Sequence, residues 1–174
     1  MSFVIIVVSD NHGRPENLRQ VLARHQDEAN FFIHCGDSEF NVRDELMQPF
    51  ISVRGNNDFG FDYENNQTLS LGDFGDIFIT HGHMNGAHLG SKTLAKNIRK
   101  IANPNVNIVC YGHTHKVEIS KDGDILVINP GSLNYPRDSK IPTYIKLEVT
   151  ATSYEIHVLE ASNGQPMKHL VIDK

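Results

Sequence analysis

The chain begins with a continuous apolar run, Phe3–Val8, and returns to short runs of the same kind at Phe31–Ile33, Phe50–Val53, Ile77–Ile79 and Ile108–Tyr111. These runs are rich in Val, Ile and Phe and lack a period of two, which predicts strands buried on both faces. Between them, apolar positions recur at helical spacing. Glu16–His25 carries Leu18, Val21 and Leu22 on one stripe, and Ser91–Ala102 carries Leu94, Ala95, Ile98 and Ile101, so both are predicted to be amphipathic helices. A shorter helix is expected over Asn41–Met47. As far as Tyr111 the pattern is βαβ-like, and it predicts a central sheet with helices packed on it.

After His115 the texture changes. "KVEISKDGDILVIN" reads as two short strands around a Lys-Asp-Gly-Asp turn, and "TYIKLEVTATSYEIHVLE" repeats that arrangement, with "INPGSL" (Ile128–Leu133) as a loop between strands. No linker, repeat or low-complexity segment interrupts the chain. The expectation is a single α/β domain over residues 1–174 with two stacked sheets.

Composition narrows the functional classes. The 174 residues are 39% hydrophobic and 21% charged, which suits one globular domain. A formal charge of −5 without a Lys/Arg cluster argues against an extended nucleic-acid surface, although a small anionic substrate needs only local positive charge. The N-terminal "FVIIVV" is too short for a signal peptide or a membrane span, so no membrane partner and a cytoplasmic location are expected. Cys35 and Cys110 each end an apolar run and are expected to be buried, reduced thiols. Strand edges and the apolar loop Phe59–Tyr63 allow a homo-oligomer, a dimer or a tetramer, without demanding one.

The chemistry lies in five polar clusters that each begin where an apolar strand ends: "SDNHG", "CGDS", "RGNND", "THGH" and "YGHTH". In open α/β sheets that carboxyl-end edge is where ligands bind. The clusters offer Asp10, His12, Asp37, Asn56, His81, His83, His113 and His115, a mixture of imidazole nitrogen with carboxylate or amide oxygen. Residues two apart in an extended segment reach one locus, which pairs Asp10 with His12 and His113 with His115. Such a set suits Mn²⁺, Fe, Zn²⁺ or Ni²⁺ better than an all-oxygen calcium shell or a thiolate zinc site. Seven or more donors are too many for one ion. Two ions roughly 3.5–4 Å apart, sharing a carboxylate and activating a water, are the usual solution for phosphate-ester hydrolysis. With only Asp10 and Asp37 anionic, such a site stays positive and attracts phosphate. His25, His34, His88, His157 and His169 are expected to be structural. "GSKT" at Gly90–Thr93 lacks the glycine spacing of a phosphate-cradling loop, and Ser132 is not in a nucleophile-elbow context.

Taken together the clusters resemble the signature of the calcineurin-like metallophosphoesterases: Asp10-Asn11-His12, Gly36-Asp37, Gly55-Asn56-Asn57-Asp58, Thr80-His81-Gly82-His83 and Gly112-His113-Thr114-His115. The short length and the "NPGS" loop most resemble the small bacterial and archaeal phosphodiesterase branch, which is also similar to the retromer scaffold subunit. The resemblance implies a four-layer α-β-β-α sandwich, two stacked mixed β-sheets flanked by helices. It also implies two divalent ions, with manganese the first choice: Asp10, His12 and His115 would hold one, Asn56, His81 and His113 the other, and Asp37 would bridge. The implied activity is that of a metal-dependent phosphodiesterase acting on a small phosphoester. The alternatives are a non-catalytic scaffold and a phosphomonoesterase or nucleotide hydrolase. Asn57 departs from the pattern, because much of the family has there a histidine thought to protonate the leaving group, and a neutral amide cannot do so. His83 is a substitute acid or, preferentially, a residue that orients the ligands. Asp58 is expected to be a turn or cap residue.

Overall fold

A computed structural model describes residues 1–174. The predicted apolar runs become β1 (Phe3–Val8), β2 (Phe31–His34), β3 (Phe50–Ser52), β5 (Asp76–Thr80) and β6 (Val106–Cys110). The two hairpins supply β7 (Val117–Asp122) with β8 (Ile125–Pro130), and β9 (Thr143–Val149) with β10 (Ser153–Glu160). Two further strands, β4 (Asn66–Ser70) and β11 (Pro166–Asp173), complete the sheets, and the helices are α1 (Glu16–His25) and α2 (Ser91–Arg99). One sheet runs in the order β11-β10-β9-β1-β2-β3, the other in the order β4-β5-β6-β8-β7. Both are mixed. β1, β2 and β3 are parallel in the first, as are β5, β6 and β8 in the second, while the remaining pairs are antiparallel.

Three apolar clusters account for the layers. Ile5 and Val7 of β1 join Ile77, Ile79 and Ile108 in a core between the sheets. On the other face of β1, Ile6 and Val8 meet Leu18 and Val21 of α1. Across the second sheet, Phe78 and Val109 meet Leu94, Ala95 and Ile98 of α2. The order is therefore helix, sheet, sheet, helix, and it explains why β1 shows no alternation: both of its faces are apolar environments. Burying a Leu or Ile completely contributes about 1.5–3 kcal/mol, and the side chains of Leu18, Leu94 and Ile98 are fully buried.

Two predicted helices are shortened. Over Asn41–Met47 only a 3-10 turn forms, at Glu45–Met47. There Asn41 Oδ1 accepts from Arg43 N and Asp44 Oδ1 from Leu46 N, so side chains take the amides an α-helix would have used. α2 stops at Arg99 rather than Ala102, leaving Ile101 exposed. No helix is long and apolar enough to cross a membrane. Both cysteines are free and buried.

Candidate metal centre

The loops leaving β1, β2, β3, β5 and β6 meet at one edge of the two sheets. Their backbones are tied together: Asp10 N donates to Gly36 O at 3.1 Å, His12 N to Asp37 O at 3.0 Å, and Gly112 N to His81 O at 3.1 Å. Six non-glycine residues adopt positive φ, and they fall in pairs two apart: Asp10 and His12 (56° and 46°), Asp37 and Glu39 (56° and 59°), His113 and His115 (70° and 58°). Such conformations cost about 1–3 kcal/mol each and persist where the surroundings over-determine them. Here each pair turns two side chains into the same cleft. Gly55 allows the close approach of the third loop, because a Cβ there would overlap the Asp37 carboxylate and backbone nitrogen.

The donors converge. Asp10 Oδ1 lies 3.2 Å from His115 Nε2, 3.6 Å from His12 Nε2 and 3.9 Å from His81 Nε2. Asp37 Oδ2 lies 3.3 Å from His81 Nε2 and 3.7 Å from His12 Nε2, between the two histidine groups. Asn56 Oδ1 is 2.9 Å from His81 Nε2 and 3.0 Å from His113 Nδ1. All seven residues assigned from the sequence as ligands are thus brought together, and within them the groups Asp10-His12-His115 and Asp10-Asp37-His81 share Asp10.

Their tautomers are set from behind. His115 Nδ1 donates to Tyr135 O at 2.7 Å and His81 Nδ1 to Cys35 O at 2.7 Å, since a carbonyl can only accept. His12 Nδ1 donates to the Glu39 carboxylate at 2.8 Å. Each Nε2 lone pair therefore points inward, and those of His12 and His115 face each other at 3.1 Å. Asp10 Oδ2 accepts from Ser9 Oγ and His113 N, but the buried Oδ1 has no hydrogen-bond partner. Opposed imidazole nitrogens around an unpartnered buried carboxylate oxygen favour positive charge among them, a proton or a metal ion, so the donor set fits a metal centre.

The titration behaviour has the same origin. Burial pushes the Asp10 carboxyl up, but the imidazoles of His81, His115 and His12 outweigh it and hold it below the usual carboxylate range. Asp37 is likewise raised by burial and lowered more strongly by His81 and the Asn57 amide. His12 is pushed up to about 9 by Asp10, against burial and with help from Glu39. In each case the site favours positive charge between the aspartates.

Residues outside the donor set do much of the holding. Asp58 is the turn residue expected: its carboxylate accepts from Gly55 N (2.7 Å), Asp37 N (2.9 Å) and Glu39 N (2.9 Å), and so ties two ligand loops together. Asn57 turns towards Asp37, with its backbone N donating to Oδ1 (2.8 Å) and Nδ2 to Oδ2 (3.0 Å). His83 makes no hydrogen bond through its buried Nδ1; its ring packs edge-on against His81 and lines a recess beside Asn56. Ser132 Oγ donates to Asp10 O at 2.7 Å and accepts from Tyr135 N, a loop latch. His34, held down to about 4 by burial, accepts from Gly36 N and bonds Asn11, and is structural. Glu39 and Tyr135 were not anticipated. Glu39 had a signal, because Asp37-Ser38-Glu39 repeats the two-residue spacing of the other pairs; Tyr135 acts through its backbone carbonyl and had none.

Recesses of about 520 Å³ flank the centre on two sides. One is lined by Arg54, Asn56, Phe59, His83 and Met84. The other is lined by His12, His115, Tyr135, Pro136 and Arg137.

Known proteins share this fold. A phosphoesterase-like crystal structure from Streptococcus pneumoniae, described as a predicted phosphoesterase, superposes with a TM-score of 0.90 at 27% identity and covers 100% of this chain and 99% of that one. Vps29 from Entamoeba histolytica shares the fold, with a TM-score of 0.76 at 21% identity over 99% of both chains. In sequence, the probable metallophosphoesterase YsnB of Bacillus subtilis is 34% identical over 140 residues, 80% of each chain. Phosphodiesterase MJ0936 of Methanocaldococcus jannaschii is 31% identical over 173 residues, 88% of this chain and 98% of that one. The family model for the calcineurin-like phosphoesterase superfamily domain matches residues 3–152, which contain every donor described above. The chain belongs to the calcineurin-like phosphoesterase superfamily and is one of its metallophosphoesterases.

Proposed function

We propose that the chain hydrolyses phosphate diesters using two divalent transition-metal ions, with manganese the first candidate. Asp10, His12 and His115 hold one, Asn56, His81 and His113 hold the other, and Asp37 is shared. The observation that carries this reading is the set of inward-facing donors around the unpartnered Asp10 Oδ1. When bound, two such ions supply an acidified water for in-line attack and positive charge for the phosphorane-like transition state.

The chain's own groups do the positioning. Glu39, Cys35 O and Tyr135 O keep the proton on Nδ1 of His12, His81 and His115, which leaves Nε2 free to bind. Asn57 gives two N–H groups to Asp37 and fixes both of its oxygens. Because that amide cannot protonate an alkoxide, departure of the leaving group falls to solvent or to His83, and esters with acidic leaving groups are favoured. The recesses on two sides of the centre support a diester, whose phosphorus carries two substituents. Arg54 and Arg137, one in each recess, offer the local positive charge that an anionic substrate needs in a chain of net charge −5.

The test is hydrolysis of an aryl diester and of an alkyl monoester by metal-free protein resupplied with Mn²⁺. Strong turnover of the diester and weak turnover of the monoester are expected. The reverse preference would favour the monoesterase alternative, and no metal-stimulated turnover of either would leave the scaffold role. The buried free thiols of Cys35 and Cys110 suit the reducing cytoplasm.

A further inference from the structure

We propose that Glu155, His157 and His169 form a second metal site, on the outer face of the first sheet, for one ion of the Zn²⁺, Ni²⁺ or Cu²⁺ type. None of the three belongs to the cleft. Along β10, Tyr154, Ile156 and Val158 enter the core between the sheets, so Glu155 and His157 project from the opposite face. His157 pairs directly with His169 of β11 across the antiparallel ladder, which brings a third donor alongside. The two imidazoles lie parallel, with ring centroids 4.3 Å apart at an interplanar angle of 4°. Glu155 Oε1 is 2.9 Å from His169 Nε2 and 3.3 Å from His157 Nε2, and the three donor atoms all lie within 4.8 Å of one another.

The two carboxylate–imidazole separations match those of atoms sharing an ion as well as those of hydrogen bonds. Ligands at about 2.0–2.1 Å from a metal stand about 2.9 Å apart at right angles and about 3.4 Å apart at the tetrahedral angle. Two imidazoles and one carboxylate are also the protein ligands of many zinc sites that keep a fourth position for water. A surface ion pair would need one histidine, whereas here a single carboxylate oxygen faces two. The ladder holds the three donors on adjacent strands, and the two stacked rings must tilt from parallel for both Nε2 lone pairs to converge on one ion.

The surroundings permit entry. His169 is half-exposed and Val171 largely exposed on this face of the edge strand, so the fourth position opens towards solvent. Lys146 pairs with His157 from β9, but its ammonium is 2.7 Å from Glu28 Oε2 and is engaged there. Glu148, opposite Glu155 on β9, adds negative charge on the same face.

Equilibrium dialysis of the holoprotein against zinc, followed by elemental analysis, tests the site. The double variant His157→Ala/His169→Ala should bind one zinc ion fewer than the wild type, with phosphoesterase activity unchanged. Glu155→Gln should bind that ion more weakly. As a second readout, Cu²⁺ added to the holoprotein should give a spin-resonance signal with coupling to two imidazole nitrogens that the double variant loses. Equal zinc content and the same copper signal in wild type and double variant would overturn the proposal and leave a hydrogen-bonded surface triad.

Discussion

Replacing Asp58 with alanine removes the acceptor for three backbone N–H groups at once, those of Gly55, Asp37 and Glu39. The carboxylate is 2% exposed, so water does not replace it without rearrangement. Hydrogen bonds to a charged group contribute about 1.5–3 kcal/mol each, and a donor left buried without a partner carries its own penalty. Against this stands the cost of burying the carboxylate, which pushes its pKa up despite the three amides. The net loss expected for Asp58→Ala is therefore about 3–4 kcal/mol, a large part of the stability of a domain of this size. Asp58→Asn keeps one acceptor oxygen but turns an amino group towards an N–H, so an intermediate loss of about 1.5–2 kcal/mol is expected. Urea unfolding of the metal-free proteins measures both, because it separates the hydrogen bonds from stabilisation by bound ions. An alanine variant with the wild-type midpoint, or an asparagine variant as unstable as the alanine one, would refute the reasoning.

Glu39→Gln leaves His12 with a partner that no longer demands the Nδ1 proton, and metal affinity measured by competition with a chelator should fall about 10–100-fold without loss of fold. Because Asp10 and Glu39 raise His12 to about 9 in the metal-free protein, metal binding near neutral pH should release a proton. Calorimetry in buffers of different ionisation enthalpy reads that proton, and its release should vanish above about pH 9. The sign for stability follows: the raised pKa means that this interaction stabilises the metal-free fold fully below 6.5 and is lost as pH rises through about 9. Unfolding midpoints of the metal-free protein between these values should fall with pH, and less so in His12→Gln.

What could be read from the sequence depended on burial. β1, β2, β5 and β6 are packed on both faces, and a run of Val, Ile and Phe announces that directly. β4 is an edge strand spelled Asn-Gln-Thr-Leu-Ser with no buried position, and β11 is an edge strand with only Leu170 and Ile172 turned inward. β4 presents no apolar run, and that of β11, Leu170–Ile172, is half spent on the exposed Val171. The donors were legible because their side-chain types and spacing are chemically specific. Their presentation was not, since positive φ at Asp10, His12, Asp37, His113 and His115 is a property of loops tied together in space. The same holds for Asn57, whose sequence position suggests a vacancy for a proton donor while its amide in fact braces Asp37. Tyr135 contributes a carbonyl, which every residue has.

The donors come from both sheets: Asp10, His12, Asp37 and Asn56 follow strands of the first, and His81, His113 and His115 follow strands of the second. They also span residues 10 to 115, so no fragment shorter than that stretch holds a complete set. Metal capture is thereby scheduled late in the biosynthesis of the molecule. A half-made chain that has emerged only as far as β3 offers two aspartates, one histidine and an amide, a weak and unselective trap for passing ions. Only when β5 and β6 have followed and packed against them do the three remaining imidazoles arrive, and the folded chain, rather than the nascent polypeptide, chooses its metal.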